Sequence, residues 1–323
     1  MTDLSHRDQT PPPDAPEKRM RALIRGWDSD LAYSFRTSPM AIIAGIVALV
    51  IILAAVLAPW IAPHDPFNPR TLNLMEGFTP PMQPNAFTGN TFLMGTDDQG
   101  RDVFSTILYG ARISLFVGFA SVIFAMVVGI SAGLVAGYRG GWVDGLLMRV
   151  ADVQLTFPSI LLALLIFGIA RGFIPPAYRE TMAIWVLIVA IGLSDWVQYA
   201  RVVRGATMVE KNKEYVQAAR MIGAHPARIL LRHILPNVMG PVLVIATIGL
   251  ALAIIAEATL SFLGVGVPAT QPSLGTLIRI GQGFLFSGEW WILAFPAAAL
   301  LALALSVNLL GDWLRDALNP RLR

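Results

Sequence analysis

The sequence predicts an all-α integral membrane protein with six transmembrane helices. Of its 323 residues, 55% are hydrophobic and only 14% are charged, and the mean hydropathy is +0.62. The apolar residues are gathered in long blocks, which is typical of a chain surrounded by lipid rather than of a soluble domain. The chain contains no cysteine, which excludes disulfides and thiolate metal sites.

Six apolar blocks approach the roughly 20 residues that a helix needs to cross a bilayer. They lie at 40–62, 113–137, 153–170, 181–200, 234–256 and 290–311. The third block contains Pro158, which we expect to be tolerated as a kink in a membrane helix. The fourth is interrupted near its end by Asp195.

The distribution of basic residues predicts the orientation of the chain. With a cytoplasmic N-terminus, 18 of the 24 Lys and Arg residues lie in cytoplasmic segments, as the positive-inside rule expects. Both termini are therefore expected in the cytoplasm. The predicted organisation is a cytoplasmic tail at 1–39, a first transmembrane helix with an extracytoplasmic loop at 40–110, a transmembrane domain at 111–312 and a cytoplasmic tail at 313–323.

The net charge of +3 does not by itself indicate a nucleic-acid partner. The basic residues are spread over separate loops between apolar blocks, so membrane topology explains them better, and no nucleic-acid binding is expected. The four histidines show none of the spacings typical of metal sites. We expect membrane lipid as a contact and no bound metal.

The loop at 201–237 predicts a short helix on the cytoplasmic face. Asn212 is a plausible N-cap, and Glu214 stands in the first turn, where the helix dipole favours a carboxylate. The small side chains of Ala218 and Ala219 would let another protein approach closely. Gly223 is suited to ending the helix in a left-handed conformation.

Two prolines delimit the rest of this loop. Pro226 suits the first turn of a second helix, and Pro236 is expected to separate that helix from the fifth apolar block. The residues alone leave two interpretations open. The first helix could be presented to a groove on a soluble partner, or it could rest as a basic amphipathic helix on anionic lipid.

The pattern of this loop resembles the EAA loop of bacterial importer permeases of the ATP-binding-cassette (ABC) class. The resemblance rests on the two alanines, the glycine four residues later, and Leu235 with Pro236. Two positions depart from the family pattern, because Gln217 and His233 replace a Glu and an Ile. The resemblance implies docking to an ATPase subunit through Glu214, Tyr215, Gln217, Ala218, Ala219, Gly223, Pro226, Leu235 and Pro236.

Four further segments are similar to the dipeptide/oligopeptide/nickel permease group. They read GTDDQGRD at 95–102, YGARIS at 109–114, LSFLGVG at 260–266 and NLLGDWLRDALNP at 308–320. The resemblance implies the C-type subunit of a permease pair with a type I importer transmembrane domain at 111–312, in a bacterial inner membrane. It also implies a second homologous permease, two ATP-binding subunits and an extracytoplasmic solute-binding protein.

The chain lacks the sequence of a phosphate-binding P-loop, which requires Gly-Lys-Ser/Thr. Its three lysines, Lys18, Lys211 and Lys213, follow Glu, Glu and Asn. We therefore expect no cofactor in this chain, no enzymatic activity of its own, and ATP with Mg²⁺ on partner subunits. The alternative is a secondary transporter or channel that works without ATPase partners.

Three carboxylates lie in or beside the apolar blocks. Asp152 and Asp195, with Arg149 and Arg201 nearby, are interpreted as interfacial ion-pair residues. Glu257 follows a long apolar run, where a carboxylate is expected to face protein or water rather than lipid. It is either a hydrogen-bonded packing residue at a subunit interface or a lining residue of the translocation path that meets a solute amine.

Three glycines in the second block, Gly129, Gly133 and Gly137, recur every four residues. This spacing places them on one face of a helix, where small residues allow close packing against another membrane helix. The partner helix could belong to this chain or to the second permease.

Overall fold

The computed structural model describes residues 30–68 and 72–317, and the side chains from residue 33 onward. Most of the predicted N-terminal tail, up to residue 29, and the last six residues of the predicted C-terminal tail therefore lie outside the described residues. The helices of the described part are α1 (Asp30–Thr37), α2 (Pro39–Val56), α3 (Ala58–Ile61), α4 (Val103–Arg139), α5 (Gly141–Leu155), α6 (Ser159–Phe173), α7 (Arg179–Glu210), α8 (Glu214–Met221), α9 (Pro226–Arg228), α10 (Leu235–Phe262), α11 (Leu274–Gln282) and α12 (Trp291–Ala317).

Five of these elements are long and apolar enough to cross a membrane: α2, α4, α7, the continuous helix Pro226–Phe262 and α12. The pair α5 and α6 passes the same test only when its two members are taken together. The expected six spans are therefore present when this broken pair is counted as one. Between residues 30–68 and 72–317 no β-strand is formed, and the extended segments make only two isolated bridges.

The third predicted span is broken rather than kinked at Pro158. The helix axes of α5 and α6 differ by 99° across this break, so the expectation of a tolerated kink was wrong. Proline disfavours the helical conformation of the residue before it, and here Thr156 and Phe157 leave the helix ahead of the Pro158 N-cap.

The second span begins ten residues earlier than the hydropathy pattern predicts. Asp102 ends the preceding loop and caps α4 by accepting a hydrogen bond from the backbone N–H of Ser105 at 2.9 Å. A side-chain cap of this kind satisfies one of the free N–H groups at a helix start. The segment 103–112, predicted to be loop, is therefore helical.

The fifth predicted span also begins earlier, because Pro236 does not end the preceding helix. Residues Ile229–Ile234 form π-helical turns that join α9 to α10, and Pro236 occupies the first turn of α10. Proline has no backbone N–H, so it is tolerated where the regular hydrogen bond to the residue four positions earlier is not formed. The π-helical turns just before Pro236 change the hydrogen-bonding pattern there, so the helix continues through it.

The packing of α4 against α7 is the most extensive helix contact in the described chain. All three glycines of α4 face α7, so their partner helix lies within this chain. A Cβ atom added at Gly133 would lie 2.8 Å from the Cβ atom of Val203, and one added at Gly137 would lie 2.8 Å from the Cβ atom of Thr207. Both separations are too short for two carbon atoms, so only glycine allows this approach.

Two apolar clusters fill the bundle around this pair. One joins α2, α4, α10, α11 and α12 and includes Leu274, Ile254 and Leu303. The other joins α4, α6, α7 and α10 and includes Phe167 and Leu187. Residues 211–234 lie at one end of the bundle and include five Lys and Arg residues. We call this end the basic end.

Replacing Gly133 with leucine is expected to destabilise the bundle by about 1–3 kcal/mol, because the side chain would push α4 away from α7. Thermal unfolding of the detergent-purified protein measures the change. The matched control is Gly168→Leu, since a Cβ atom there meets nothing within 4 Å. Equal melting temperatures for the two variants would show that the α4–α7 approach does not limit stability.

Candidate coupling surface

The short helix predicted at the basic end is α8, Glu214–Met221. Glu214 stands in its first turn as predicted. The N-cap is Lys213 rather than the expected Asn212, whose side-chain amide donates instead to the backbone carbonyl of Met208 at 3.1 Å. Gly223 follows the helix with φ of +76°, the left-handed conformation that favours glycine at this position.

The two alanines of α8 face in opposite directions. Ala219 is 5% exposed and Val216 is 0% exposed, and both pack into an apolar cluster with Val203 and Ile234. Ala219 therefore packs against its own chain and does not lie on the exposed face of α8. Ala218 is exposed.

The outward face of this helix is apolar at its end. Met221 is 88% exposed and Ile222 is 84% exposed, beside the exposed Gln217 and Ala218. We call these four residues the α8 patch. Large apolar side chains at such exposure favour a contact that covers them. Around the patch the loop is basic, which keeps the surrounding surface polar.

Tyr215 connects the ends of α7 and α10. Its hydroxyl donates to Glu210 Oε2 at 2.7 Å and accepts from Asn237 Nδ2 at 3.1 Å. Burial and the hydrogen bond to Glu210 raise the pKa of Tyr215 to about 12. The phenol therefore stays protonated at neutral pH and keeps its donor role in this network.

Two further contacts attach the loop to α4. Lys211 Nζ donates to the backbone carbonyl of Gly137 at 2.7 Å, and the Arg220 guanidinium lies 5.0 Å from the ring centroid of Tyr138. With the Tyr215 network and the buried face of α8, the loop is joined to α4, α7 and α10. A force applied to the α8 patch would therefore reach three membrane helices together.

The remaining residues of the predicted docking set surround α8. Pro226 is the first residue of α9, as expected. His225 is the N-cap of this helix, and its Nδ1 accepts a hydrogen bond from the backbone N–H of Ala227 at 3.3 Å. Leu235 is half-buried at the start of α10, and Pro236 is exposed beside it. Gln217 donates to the backbone carbonyl of Asn212 at 3.0 Å, so it stabilises the turn into α8.

Glu257 is enclosed within the bundle rather than facing a path. It is 0% exposed, and its two carboxylate oxygens accept hydrogen bonds at 2.7 Å from Ser114 and from Ser261. Ser114 also accepts from the backbone N–H of Leu274 at 3.3 Å. The carboxylate thus joins α4, α10 and α11. This burial favours the hydrogen-bonded packing role over the lining role, with the contacts made inside this chain rather than at the expected subunit interface.

The segment 95–102 is a buried connector at the opposite end of the bundle. Asp97 accepts hydrogen bonds from the backbone N–H groups of Gln99 and Arg101, each at 2.9 Å, and pairs with the Arg101 side chain at 2.5 Å. The indole of Trp291 donates to the carbonyl of Thr96 at 3.0 Å. This loop therefore holds the starts of α4 and α12 together.

The aspartates of α5 and α7 differ in their side-chain partners. Asp152 pairs with Arg201 at 2.5 Å, as expected. The Asp195 side chain forms no hydrogen bond or ion pair with any part of the chain that the structure describes, so its interpretation as an ion-pair residue was wrong. The sequence reading missed the pair of Asp144 with Arg204, whose side chains meet through two contacts at 2.5 and 2.7 Å. Sequence offers no signal for it, because the partners are 60 residues apart.

Within residues 30–68 and 72–317, no cluster of three or more His, Asp or Glu side chains is placed to hold a metal ion.

Two models of known protein families match this chain. Residues 129–323 match the family model described as the inner membrane component of binding-protein-dependent transport systems, and residues 27–81 match that of the N-terminal transmembrane domain of oligopeptide transport permease C. The chain belongs to the binding-protein-dependent permease family. It is accordingly a multi-pass inner-membrane permease subunit of an ABC importer, which works together with other transporter subunits.

Curated relatives match over nearly their whole length. The dipeptide transport system permease protein DppC of Haemophilus influenzae is 37% identical over 90% of this chain and 94% of its own. The oligopeptide transport system permease protein OppC of Bacillus subtilis is 36% identical over 95% and 93%. The di/tripeptide transport system permease protein DppC of Pseudomonas aeruginosa is 38% identical over 85% and 86%.

The fold also matches a solved structure of the MetNI methionine ABC transporter in an inward-facing conformation. The TM-score is 0.50 at 20% sequence identity, and the match covers 66% of this chain and 96% of the other. The predicted fold, the type I importer transmembrane domain, is thereby confirmed for this permease.

Replacing Glu257 with alanine is expected to lower the free energy of unfolding by about 2 kcal/mol, because two buried serine hydroxyls lose their acceptor. Glu257→Gln keeps the volume and one carbonyl acceptor, so its loss should be smaller. Thermal unfolding in detergent compares the two variants. Identical melting curves for wild type and Glu257→Ala would contradict the packing role.

Proposed function

We propose that this permease forms half of the translocation path of an ATP-driven importer for peptides or similar small solutes. The observation that carries the proposal is the α8 patch, an exposed apolar surface on a helix attached to α4, α7 and α10. The solute class is supported by the relatives, which are named as dipeptide, oligopeptide and di/tripeptide permeases.

The partners are a second homologous permease, two ATP-binding subunits and an extracytoplasmic solute-binding protein. ATP and Mg²⁺ bind to the ATPase subunits, because no lysine of this chain follows glycine as a P-loop requires. Without an ATP site, the permease has no hydrolytic activity of its own. Its task is to convert the movement of its partners into opening and closing of the path.

The mechanism is alternating access. ATP binding draws the two ATPase subunits together, and the groove that holds the α8 patch moves with them. Val216 and Ala219 are packed into the bundle. The Tyr215 hydroxyl is hydrogen-bonded to Glu210 of α7 and to Asn237 of α10. The helix α8 therefore moves together with the bundle. The motion passes to the membrane helices and opens the path toward the binding protein, and hydrolysis reverses it.

The basic end is the cytoplasmic end in this proposal. Lys211, Lys213, Arg220, Arg228 and Arg232 lie there, and positive charge favours retention on the cytoplasmic side. Both termini are then cytoplasmic, because six spans return the chain to the side on which it began. The segment 95–102 lies on the extracytoplasmic side, where the binding protein docks.

A secondary transporter or channel is not favoured. The relatives are permeases of transport systems and match over most of their own length. A tagged pull-down from gently solubilised native membranes, with mass spectrometry of the co-purifying chains, is expected to recover a second permease and two P-loop ATPases. Recovery of this chain alone, as a homo-oligomer that transports without ATP, would require the secondary-transporter interpretation instead.

The double variant Met221→Ser, Ile222→Ser is expected to reduce ATPase recovery in that pull-down about tenfold or more. Each apolar side chain contributes about 1.5–3 kcal/mol when it is buried in an interface. Because both side chains are exposed in the permease itself, its melting temperature should not change.

The matched control is Leu74→Ser, Met75→Ser. These side chains are 76% and 66% exposed at the opposite end of the bundle, so the control should retain the ATPases. Equal ATPase recovery from the two double variants would show that the α8 patch is not the docking surface.

A further inference from the structure

A cleft with both polar and apolar lining opens at the break between α5 and α6, within the membrane-spanning part of the permease. Its volume is about 280 Å³, and its lining includes Asp195, Gln198, Ser159 and Phe157. None of the described residues that line it is basic. The cleft exists because α5 and α6 diverge by 99° at Pro158, which leaves one side of α7 uncovered.

Asp195 lies within the membrane rather than at its surface. It precedes Arg201 by six residues, about 9 Å along α7 at the rise of an α-helix, and Arg201 is the partner of Asp152 at the edge. An aspartate at this depth is costly in lipid, so it faces protein or water. No side chain among the described residues pairs with Asp195. The residue is half-buried, so part of it stays accessible from the cleft.

Two polar groups beside Asp195 in the cleft are already engaged. Gln154 donates to the backbone carbonyls of Leu193 and Ser194 at 2.7 and 3.0 Å and accepts from the indole of Trp196 at 2.7 Å. Ser194 donates to the carbonyl of Ala190 at 2.8 Å. These bonds hold the rim of the cleft in place, and the negative charge of Asp195 is left for a group from outside the chain.

We propose that this cleft is a site of the translocation path, in which Asp195 receives the protonated amine of the passing solute. The inference rests on the proposed function as a peptide permease. Peptides carry a protonated amino group at neutral pH, and the apolar lining provided by Phe157 and Leu252 accommodates side chains of varied shape. A single carboxylate attracts the amine without holding the rest of the solute, which suits a site that must also release it.

Water access and charge are tested first, by thiol labelling in membrane vesicles that contain the assembled importer. The chain has no native cysteine, so Gln198→Cys places one thiol beside Asp195. Trimethylammonium and sulfonate methanethiosulfonate reagents should both label it in at least one of the resting and ATP-trapped states. The ratio of cationic to anionic rates should fall about fivefold when Asp195→Asn is added, because the attracting charge is removed.

The matched control for labelling is Leu161→Cys, at an exposed apolar position on α6 that does not line the cleft. It should react at least tenfold more slowly than Gln198→Cys with both reagents. A Gln198→Cys thiol that stays unlabelled in both states, or a rate ratio indifferent to Asp195→Asn, overturns the proposal. This readout does not depend on which solute the importer carries.

Transport is tested with alanyl-alanine as the probe. Asp195→Asn should lower the maximal uptake rate tenfold or more, Asp195→Glu should restore part of it, and Asp152→Asn should transport like the wild type. Uptake by Asp195→Asn equal to the wild type, or a variant that no longer assembles with its partners, overturns the amine site. Wild-type vesicles that take up no alanyl-alanine count instead against small dipeptides as the solute, and the labelling result alone then tests the cleft.

Discussion

Glycines at every fourth position of α4 let its backbone lie directly against α7, and the arrangement of the other helices follows from that contact. A membrane bundle gains little from apolar burial alone, because lipid is as apolar as the side chains. Close backbone approach, which gives dense van der Waals contact, replaces it. Since Gly137 and Thr207 lie near the basic end, the same contact also brings together the helix ends on which α8 rests.

Polar groups then fix the positions of the remaining helices at the two ends and in the interior. Glu257 gathers α4, α10 and α11 through two serines, and the loop at 95–102 joins the starts of α4 and α12. Three of the sequence segments that resemble the permease group, 95–102, 109–114 and 260–266, thus contribute to internal contacts. Their shared chemistry reflects how the bundle is held rather than which solute passes.

The loop that we propose for coupling combines a rigid attachment with an exposed surface. Val216 and Ala219 are buried against the bundle, whereas Met221 and Ile222 extend outward. This division is what a transmitting element requires, because a helix that was loose on its own bundle would move without moving the path. The cleft at Asp195 is lined by residues of α5, α6, α7 and α10, so two of the helices that would receive the proposed motion also form its wall.

The sequence alone determined the number of spans, with the broken pair α5–α6 counted as one, and the position of α8, because these depend on local composition. A run of about 20 apolar residues needs no partner to be recognised, and Glu214, Gly223 and Pro226 mark helix ends by their own conformational preferences. The GxxxGxxxG spacing likewise predicted a packing face, although not the helix that it meets.

Only the tertiary structure decided which side chains face inward and which carboxylates are paired. Ala218 and Ala219 are chemically identical and adjacent, and their roles separate only once α8 lies on the bundle. Asp152 and Asp195 both stand near arginines in sequence, but Arg201 is within reach of Asp152 alone. Asp144 is 60 residues from its partner Arg204, and Glu257 is 143 residues from its partner Ser114. Such contacts depend on the crossing of whole helices, which no local pattern specifies.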